Sequence, residues 1–297
     1  MKLLLTVLAH HDPQRLFRAV QSAVNAEPST LFEHEVHVVL NSLHEDWPRH
    51  MKRVLKRRWP EVVVHITKSN GLPGKGKNSC LRLAKRDTSC DYIVQLDGDD
   101  FFYPTVLRSI EWHLKRLPGL DCLSTIPVEL IAAAPPKGYT FQVQEGVWAG
   151  IWGNNSQWPL AEPAGRNPSP MWRERLPICP ARPLLFSRRI ACEHAFSETL
   201  RVGEDHLLLC ELLARYKREG ICMANTMAID MWCCDRTGTG SVQQQFSQLP
   251  EVLPLKKAAM AHLAYNESSI SELPMLFPPT LMALKARETF IRRQYSC

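Results

Sequence analysis

Residues 92–101, YIVQLDGDDF, join an apolar run to three closely spaced carboxylates. The apolar and β-branched side chains at 92–96 predict a buried strand. The acids that follow it, Asp97, Asp99 and Asp100, repel one another unless a cation lies among them. Oxygen ligands in a loop suit Mg²⁺ or Mn²⁺, which commonly keep waters and bind substrate phosphates. The stretch therefore predicts a metal–diphosphate site at the carboxyl end of a strand.

Around this stretch, segments with the pattern of strands alternate with segments with the pattern of helices. Strands are predicted at 2–9, 35–40, 62–67 and 92–96, and helices at 13–25, 47–58 and 78–85. This alternation predicts an α/β fold with a mostly parallel sheet that is flanked by helices. Ligands of such sheets bind beyond the carboxyl ends of the strands. The loops that begin at His10, Asn41, Ser69 and Asp97 should therefore share one rim.

The second half of the chain has a less regular pattern. A helix at 104–117, a strand near 122–130, a strand at 184–187 and a helix at 204–218 are predicted. Between 127 and 183 the chain is rich in Pro and Trp, and so long an irregular stretch is usually functional. The last segment has the pattern of short helices interrupted by prolines. We expect three parts: an α/β half at 1–125, a second half at 126–248, and a small helical extension at 249–297.

The composition is that of an ordinary globular protein, with 297 residues of which 45% are hydrophobic and 22% charged. No apolar run approaches the roughly 18 residues that span a bilayer, and the apolar N-terminal run is too short for a signal peptide. The ten cysteines lack the short regular spacings of zinc sites, so reduced thiols are expected. These features predict a cytoplasmic location and no integral membrane segment.

One helix concentrates the positive charge of the chain, whose formal net charge is +6. Residues 49–59, RHMKRVLKRRW, place Met51, Val54, Leu55 and Trp59 at helical spacing and leave the basic side chains to cover the rest of the helix. Two interpretations remain open. The helix is either a solvated outer helix of the α/β domain or an electrostatic footprint for a polyanion.

Three separated motifs occur in an informative order. SNGLPGKGKN at 69–78 precedes a helix, DGDD at 97–100 ends a strand, and GED at 203–205 opens a later helix. Their order and spacing resemble those of the family 2 glycosyltransferases, over roughly residues 1–245. The resemblance implies a GT-A-like, Rossmann-like fold. In it, 1–125 would bind a nucleotide sugar, and the half at 126–248, with its Pro/Trp-rich insertion, would bind the acceptor.

The resemblance also implies chemical roles for the acids. Asp99 would hold a Mn²⁺ or Mg²⁺ that bridges the donor diphosphate, with Asp97 at the metal or near the ribose. Asp100 would lie behind them or share the metal. Asp205 would be the general base that deprotonates the acceptor hydroxyl, with Glu204 as the fallback base or a positioning residue. Attack from the face opposite the leaving group would invert the anomeric carbon.

The remaining donor-binding residues are expected in the loops of the same rim. Lys77 stands where the family often has Arg, and Lys75 adds a second cation, so both are expected to reach the nucleotide or the diphosphate. Asn41 stands where the family usually has an Asp that contacts the nucleobase. A UDP-sugar remains the expected donor. The full predicted set is His10, Asn41, Asn70, Gly71, Lys75, Lys77, Asp97 and Arg236.

The motifs predict the donor and leave the acceptor open. Trp and Arg side chains between 148 and 189 suit stacking on sugar rings and equally suit unpaired bases and phosphates. The acceptor is therefore either a glycan or other hydroxyl compound, or DNA that carries a 5-hydroxymethylpyrimidine. Two hypotheses that assign the chain to another class of protein also remain. They are a catalytically silent glycan- or nucleic-acid-binding module, and a sugar-phosphate nucleotidyltransferase. The latter usually begins with a Gly-rich turn bearing an Arg, which LAHH at 8–11 lacks.

Overall fold

The structure is a computed structural model, and it describes residues 1–126, 128–131, 148–150, 182–200, 203–227, 231–235 and 275–276. Most of the Pro/Trp-rich insertion, most of the C-terminal segment and the predicted donor residue Arg236 lie outside the described residues. The division at 125 and 248 therefore stays a prediction.

Strands and helices alternate through the first half of the chain, as the pattern predicts. The described strands are β1 (Lys2–Ala9), β2 (Glu33–Ser42), β3 (Val63–Lys68), β4 (Tyr92–Asp97), β5 (Phe101–Phe102), β6 (Cys122–Ile126), β7 (Val128–Ile131), β8 (Trp148–Gly150), β9 (Arg182–Ser187), β10 (Met223–Met227), β11 (Trp232–Asp235) and β12 (Met275–Leu276). The described helices are α1 (Pro13–Val24), α2 (Asp46–Arg58), α3 (Pro73–Arg86), α4 (Val106–Arg116), α5 (Arg188–Glu193) and α6 (Glu204–Glu219).

Eight of the described strands form one sheet in the order β3-β2-β1-β4-β9-β6-β10-β12. All neighbours in this sheet are parallel except that β9 runs antiparallel to both β4 and β6. A second, smaller sheet has the strand order β5-β11-β7-β8. Its strand β5 comes directly after the acidic turn, residues 97–100. The α/β fold with a mostly parallel, helix-flanked sheet is confirmed.

The core lies on both faces of the large sheet. On one face, Leu5 and Val7 of β1 belong to the same buried cluster as Leu16 of α1, Leu55 of α2 and Leu107 of α4. On the other face, α3 packs so closely that a side chain added at its second glycine would press on Leu8. Because β1 is buried on both faces, its sequence is an apolar run interrupted only by Thr6 rather than an alternating pattern.

Helix α1 begins as predicted. The Asp12 side chain accepts a hydrogen bond from the backbone N–H of Arg15 at 3.2 Å, and Pro13 occupies the first helical position. Asp12 itself has φ +63°, a left-handed conformation that Asp tolerates better than most residues. This turn lets the chain leave β1 and enter α1 within three residues, which brings the first turns of α1 to the carboxyl ends of the strands.

Helix α3 begins at Pro73, five residues earlier than the predicted start at Asn78. The glycines of this segment predict a flexible loop, but the structure uses them for close packing. A Cβ at Gly74 would overlap the carbonyl group of Ser197, and one at Gly76 would lie 2.9 Å from a methyl carbon of Leu8. Lys75 and Lys77 are therefore helical residues, with side-chain directions fixed by the helix.

The predicted strand near 122–130 is wrong as a single element. It divides into β6 and β7, which belong to different sheets. Pro127 stands between them in the sequence, and a proline cannot donate to a strand ladder. None of the described helices is long and apolar enough to cross a membrane. The expected cytoplasmic location stays a prediction.

Replacing Gly74 by Ala tests the packing of α3. On helix propensity alone, Gly→Ala stabilises a helix by about 1 kcal/mol. Because the new methyl group would overlap the Ser197 carbonyl, we expect Gly74→Ala to lower the free energy of unfolding by about 2 kcal/mol, as overpacking does. Urea denaturation measures the difference, with Lys85→Ala on the exposed side of the same helix as the control. A stabilised Gly74→Ala protein would show that this contact does not exist.

Candidate active site

The candidate site lies at the rim that the strand pattern predicts, beyond the carboxyl ends of β1, β2 and β4. Three elements bring charged side chains to it. They are the end of β4 and the turn after it, with Asp97 and Asp99, the first turn and a half of α3, with Lys77, and the N-terminus of α6, with Glu204 and Asp205. Two acids at a helix N-terminus also complement the helix dipole of α6. The structure thus unites the three sequence motifs in one place.

The acidic turn is held tightly against the end of β1. The backbone N–H of Gly98 donates to the carbonyl oxygen of Leu8 at 2.6 Å, and the N–H of Asp100 donates to the carbonyl oxygen of Asp97 at 3.0 Å. A Cβ at Gly98 would lie 2.8 Å from both the Leu8 oxygen and the Ala9 Cβ, so only glycine fits. This anchoring leaves the side chains of Asp97 and Asp99 37% and 44% exposed, facing outward from the strand end.

Lys77 forms the centre of a carboxylate cluster. Its Nζ lies 2.6 Å from both carboxylate oxygens of Asp205, 2.8 Å from Oε1 of Glu204 and 3.9 Å from Oδ2 of Asp97. Only 8% of the lysine side chain is exposed. The predicted contact between Lys77 and the donor diphosphate stays untested, but in this structure the ammonium group is occupied by the two acids of α6.

The electrostatics of this cluster follow from burial and proximity. Burial alone would lower the pKa of Lys77, but the charges of Asp205, Asp97 and Glu204 outweigh it and raise that pKa well above its usual value. Burial raises the pKa of Glu204, the Lys77 charge opposes that rise, and the Asp205 charge adds to it, with a raised pKa as the net result. The lysine therefore stays protonated and holds the acids together.

Asp97 and Asp99 are the residues with the chemistry to hold a divalent cation. Partial desolvation and then the charge of Asp97 raise the pKa of Asp99, so a cation near the pair would be favoured. Among the described residues, no group of three or more His, Cys, Asp or Glu side chains is arranged to hold a metal. A Mg²⁺ or Mn²⁺ bound through one or two carboxylates, with waters and phosphates completing its shell, is compatible with such a sparse donor set.

Asp100 has a different place from its two neighbours. Its side chain is 3% exposed, accepts the backbone N–H of Asp235 at 3.0 Å and lies 3.9 Å from Nη1 of Arg182. Desolvation and the Asp99 charge raise its pKa well above the usual value, with Arg182 opposing them. Its carboxylate is turned inward to β11. Whether Asp100 lies behind the metal acids or shares the metal stays a prediction.

The predicted nucleobase side of the rim is more enclosed than its sequence suggests. His10 Nδ1 lies 2.7 Å from the carbonyl oxygen of Asn41, which ties the ends of β1 and β2 together. The Asn41 side chain is fully buried, and its amide donates to Thr67 Oγ1 at 2.8 Å. Its Oδ1 is buried and finds no hydrogen-bond partner among the described residues. In this structure the Asn41 side chain therefore lies buried beneath the rim and does not face the open side of the rim.

Asn70, Gly71 and Lys75 surround the start of α3. The Asn70 amide donates to the carbonyl oxygen of Glu198 at 3.2 Å, and its Oδ1 accepts the N–H of Leu72 at 3.1 Å. Gly71 has φ +80°, which glycine adopts without strain. No side chain caps the N-terminus of α3, and such a terminus attracts anions through its backbone N–H groups and dipole. Lys75, half-buried in the first turn, adds a positive charge at the same end.

Sequence reasoning missed a set of arginine contacts that fix the acidic turn from the side of α1. Arg18 Nη2 donates to the backbone oxygen of Asp99 at 3.0 Å and also to the buried carboxylate of Asp235. Arg15 Nη1 lies 4.0 Å from Oδ2 of Asp99. Their position in the sequence could have indicated these contacts. Both arginines lie in the first turns of α1, directly after β1, on the side away from buried Leu16.

Comparison with known proteins places this geometry in context. Neither a scan against protein-family models nor a search of curated proteins finds a match. Among solved structures, S. aureus TarS 1-349 in complex with UDP matches at 16% identity and a TM-score of 0.56, covering 91% of this chain and 70% of that one. The same TarS segment in complex with UDP-GlcNAc matches at 14% identity and 0.55, with equal coverage.

The fold is GT-A-like. A longer S. aureus TarS structure matches at 14% identity and a TM-score of 0.51, and there 90% of this chain covers 43% of the TarS chain. This chain therefore spans less than half of that protein. At such low identity the likeness establishes the shared arrangement of strands and helices. The expected GT-A-like fold is confirmed, and the roles of individual residues stay predictions.

Replacing Lys77 by Met tests the carboxylate cluster. The change keeps the buried stem and removes the charge, so the acids of α6 lose their cation and the free energy of unfolding should fall by about 3 kcal/mol near neutral pH. Because the already raised pKa of Glu204 would rise further, the folded variant would bind protons, and its deficit relative to wild type should shrink as pH falls and grow as pH rises. Urea denaturation at several pH values measures this, with Lys85→Met as the exposed control. A deficit independent of pH would contradict the cluster.

Proposed function

We propose that the protein is a glycosyltransferase that uses a nucleotide-diphosphate sugar, with a UDP-sugar as the favoured donor. One observation carries the proposal: two outward-facing carboxylates and a lysine-linked acid pair meet at the strand rim of a GT-A-like fold. Rims of this kind bind ligands in parallel α/β sheets. The solved structures that share the fold include TarS complexes with UDP and with UDP-GlcNAc, which supports the same class of donor here.

On the donor side, the roles proposed for the rim residues follow from the charges of their side chains. Asp97 and Asp99 would hold a Mn²⁺ or Mg²⁺, which when bound would stabilise the negative charge of the leaving diphosphate. Lys75 and the uncapped N-terminus of α3 would bind phosphate oxygens on the same side. Asn70 and Gly71 would support that binding by positioning the start of α3. His10 and Asn41 would form the floor beneath the nucleoside.

On the acceptor side, Asp205 would accept the proton of the attacking hydroxyl group. An adjacent ammonium favours the carboxylate form, which is the form that a base needs, and 18% of the Asp205 side chain is exposed. Glu204 is more deeply buried and bridges to Lys77, so it would position Asp205 rather than act itself. A base on the side opposite the leaving diphosphate would give transfer with inversion.

The acceptor is proposed as a glycan or another hydroxyl compound, and the sugar as a hexose or pentose. DNA carrying a 5-hydroxymethylpyrimidine remains the second candidate acceptor, and the charge on α2, described below, is the observation that favours it. A catalytically silent binding module is the remaining alternative. A module of that kind would bind its ligand equally well with Asp205 changed and would transfer nothing.

Asp205→Asn separates binding from transfer. The protein is incubated with Mn²⁺, a panel of nucleotide sugars and candidate acceptors, and mass spectrometry reports any added hexose or pentose. We expect Asp205→Asn to keep donor affinity within about twofold and to lose transfer by at least about 100-fold, the size of a general-base contribution. Glu211→Gln, an exposed acid of the same helix, is the matched control. Normal turnover by Asp205→Asn would refute its role as base, and the absence of transfer by wild type with every donor would support the binding module.

A further inference from the structure

Helix α2 carries a ridge of basic side chains on its outer side. The basic ridge consists of Arg49, Lys52, Arg53, Lys56 and Arg57, and all five are exposed. At about 100° per residue, these five positions fall within one sector of the helix. Met51 and Leu55 lie on the opposite side, buried against the sheet at 2% and 0% exposure. The ridge therefore faces solvent from Arg49 to Arg57.

Little acidic charge compensates this ridge. Within the described part of the chain, only Arg49 among the five makes an ion pair, with Glu45 at 4.0 Å, and both side chains are largely exposed. Lys56 instead donates to the carbonyl oxygen of Pro60 at 3.2 Å. The helix dipole accounts for basic residues in the last turn alone, whereas the ridge begins at Arg49. With Arg58, α2 carries six Lys and Arg residues, a number equal to the formal net charge of the chain.

The dimensions of the ridge fit a dense linear polyanion. From Arg49 to Arg57 the helix rises about 12 Å at 1.5 Å per residue. Duplex DNA carries one charge for about every 1.7 Å of its axis, which places roughly seven phosphates along that length. Five flexible cations on one side of a helix can each approach a different phosphate. Such contacts release counterions and bind without regard to base sequence.

Other occupants fit the ridge less well. Helices that lie in a membrane surface bury a broad apolar face in the lipid, but the apolar face of α2 is already packed against the sheet. Protein interfaces centre on anchors set in apolar surroundings and are depleted of lysine, whereas the five ridge positions are all Lys or Arg. Both the geometry and the side-chain chemistry favour phosphates on a nucleic acid.

We propose that the basic ridge of α2 binds the phosphate backbone of duplex DNA. The contact is electrostatic and independent of sequence. It does not depend on glycosyl transfer, because none of the five ridge residues is among the rim residues described above. Taken together with the proposed function, on which this last step rests, it would support DNA with hydroxymethylated bases, the second candidate acceptor.

The test compares DNA binding by three forms of the full chain, measured by fluorescence anisotropy with a short unmodified duplex. The ridge variant is K52Q/R53Q/K56Q/R57Q, and Gln preserves helix propensity at these exposed positions. The control variant, K85Q/R86Q/R215Q/R218Q, removes the same number of exposed charges from α3 and α6. Thermal unfolding and UDP binding check that both variants are folded, and UDP binding also reports on the proposed function separately.

For wild type, we expect affinity to fall about 100-fold between 50 and 200 mM salt, which corresponds to about four phosphate contacts. The ridge variant should lose most of its affinity at 50 mM salt and most of this salt dependence, while the control variant should bind within about threefold of wild type. Equal loss in both variants, unchanged binding by the ridge variant, or no binding by wild type at 50 mM salt would overturn the proposal. Ridge-dependent binding to phosphatidylserine vesicles with DNA binding unaffected would overturn it as well.

Discussion

The buried ammonium group of Lys77 is the interaction on which the rim depends. It joins α3 to the N-terminus of α6 through Glu204 and Asp205, and it reaches Asp97 at the end of β4. Lys77 contacts these three carboxylates directly, and the charge of Arg182 also acts on Asp205 and Asp97. Asp99, on the other side of the same turn, adds a further carboxylate. The buried lysine therefore holds the rim together while Asp97 and Asp99 stay partly exposed, and the proposed metal-bound diphosphate rests on those two acids.

The close packing of glycines puts these charges in position. Gly98 presses the acidic turn against β1, and Gly74 and Gly76 bring the start of α3 against Ser197 and Leu8. Asn78 then fixes the segment before α6, because its amide donates to the carbonyl oxygen of Phe196 and its Oδ1 accepts the N–H of the same residue. These close backbone approaches and the Asn78 side-chain contacts thus decide which carboxylates can reach Lys77.

Much of the fold was predictable from the sequence because its signals are local. The apolar run of β1, the start of α1 at Pro13 and the alternation of strands and helices each depend on neighbouring residues, and the carboxyl-end rule then locates the rim. The start of α3 was mispredicted because glycines that permit close packing look the same in sequence as glycines that permit a loop. Similarly, the strand at 122–130 was predicted as one element although its two parts join different sheets.

The partners of the charged residues were not predictable, since they are far apart in the chain. Asp100 and Asp235 are 135 residues apart, and Lys77 and Asp205 are 128 residues apart. No sequence pattern distinguishes a lysine that binds phosphate from one that holds two buried acids. The same limit applies to Asn41. Its position at the end of a strand could be predicted from the sequence, but its complete burial could not.

Calorimetric titration of UDP in the presence and absence of Mn²⁺ tests the central claim most directly, namely that the acids after β4 bind a nucleotide diphosphate through a divalent cation. Wild type and the exposed-acid control Glu45→Gln should bind UDP in Mn²⁺ and lose at least about tenfold in affinity without it, a difference of about 1.4 kcal/mol. Asp99→Asn should bind weakly under both conditions. Equal affinity of Asp99→Asn and wild type in Mn²⁺ would contradict the account.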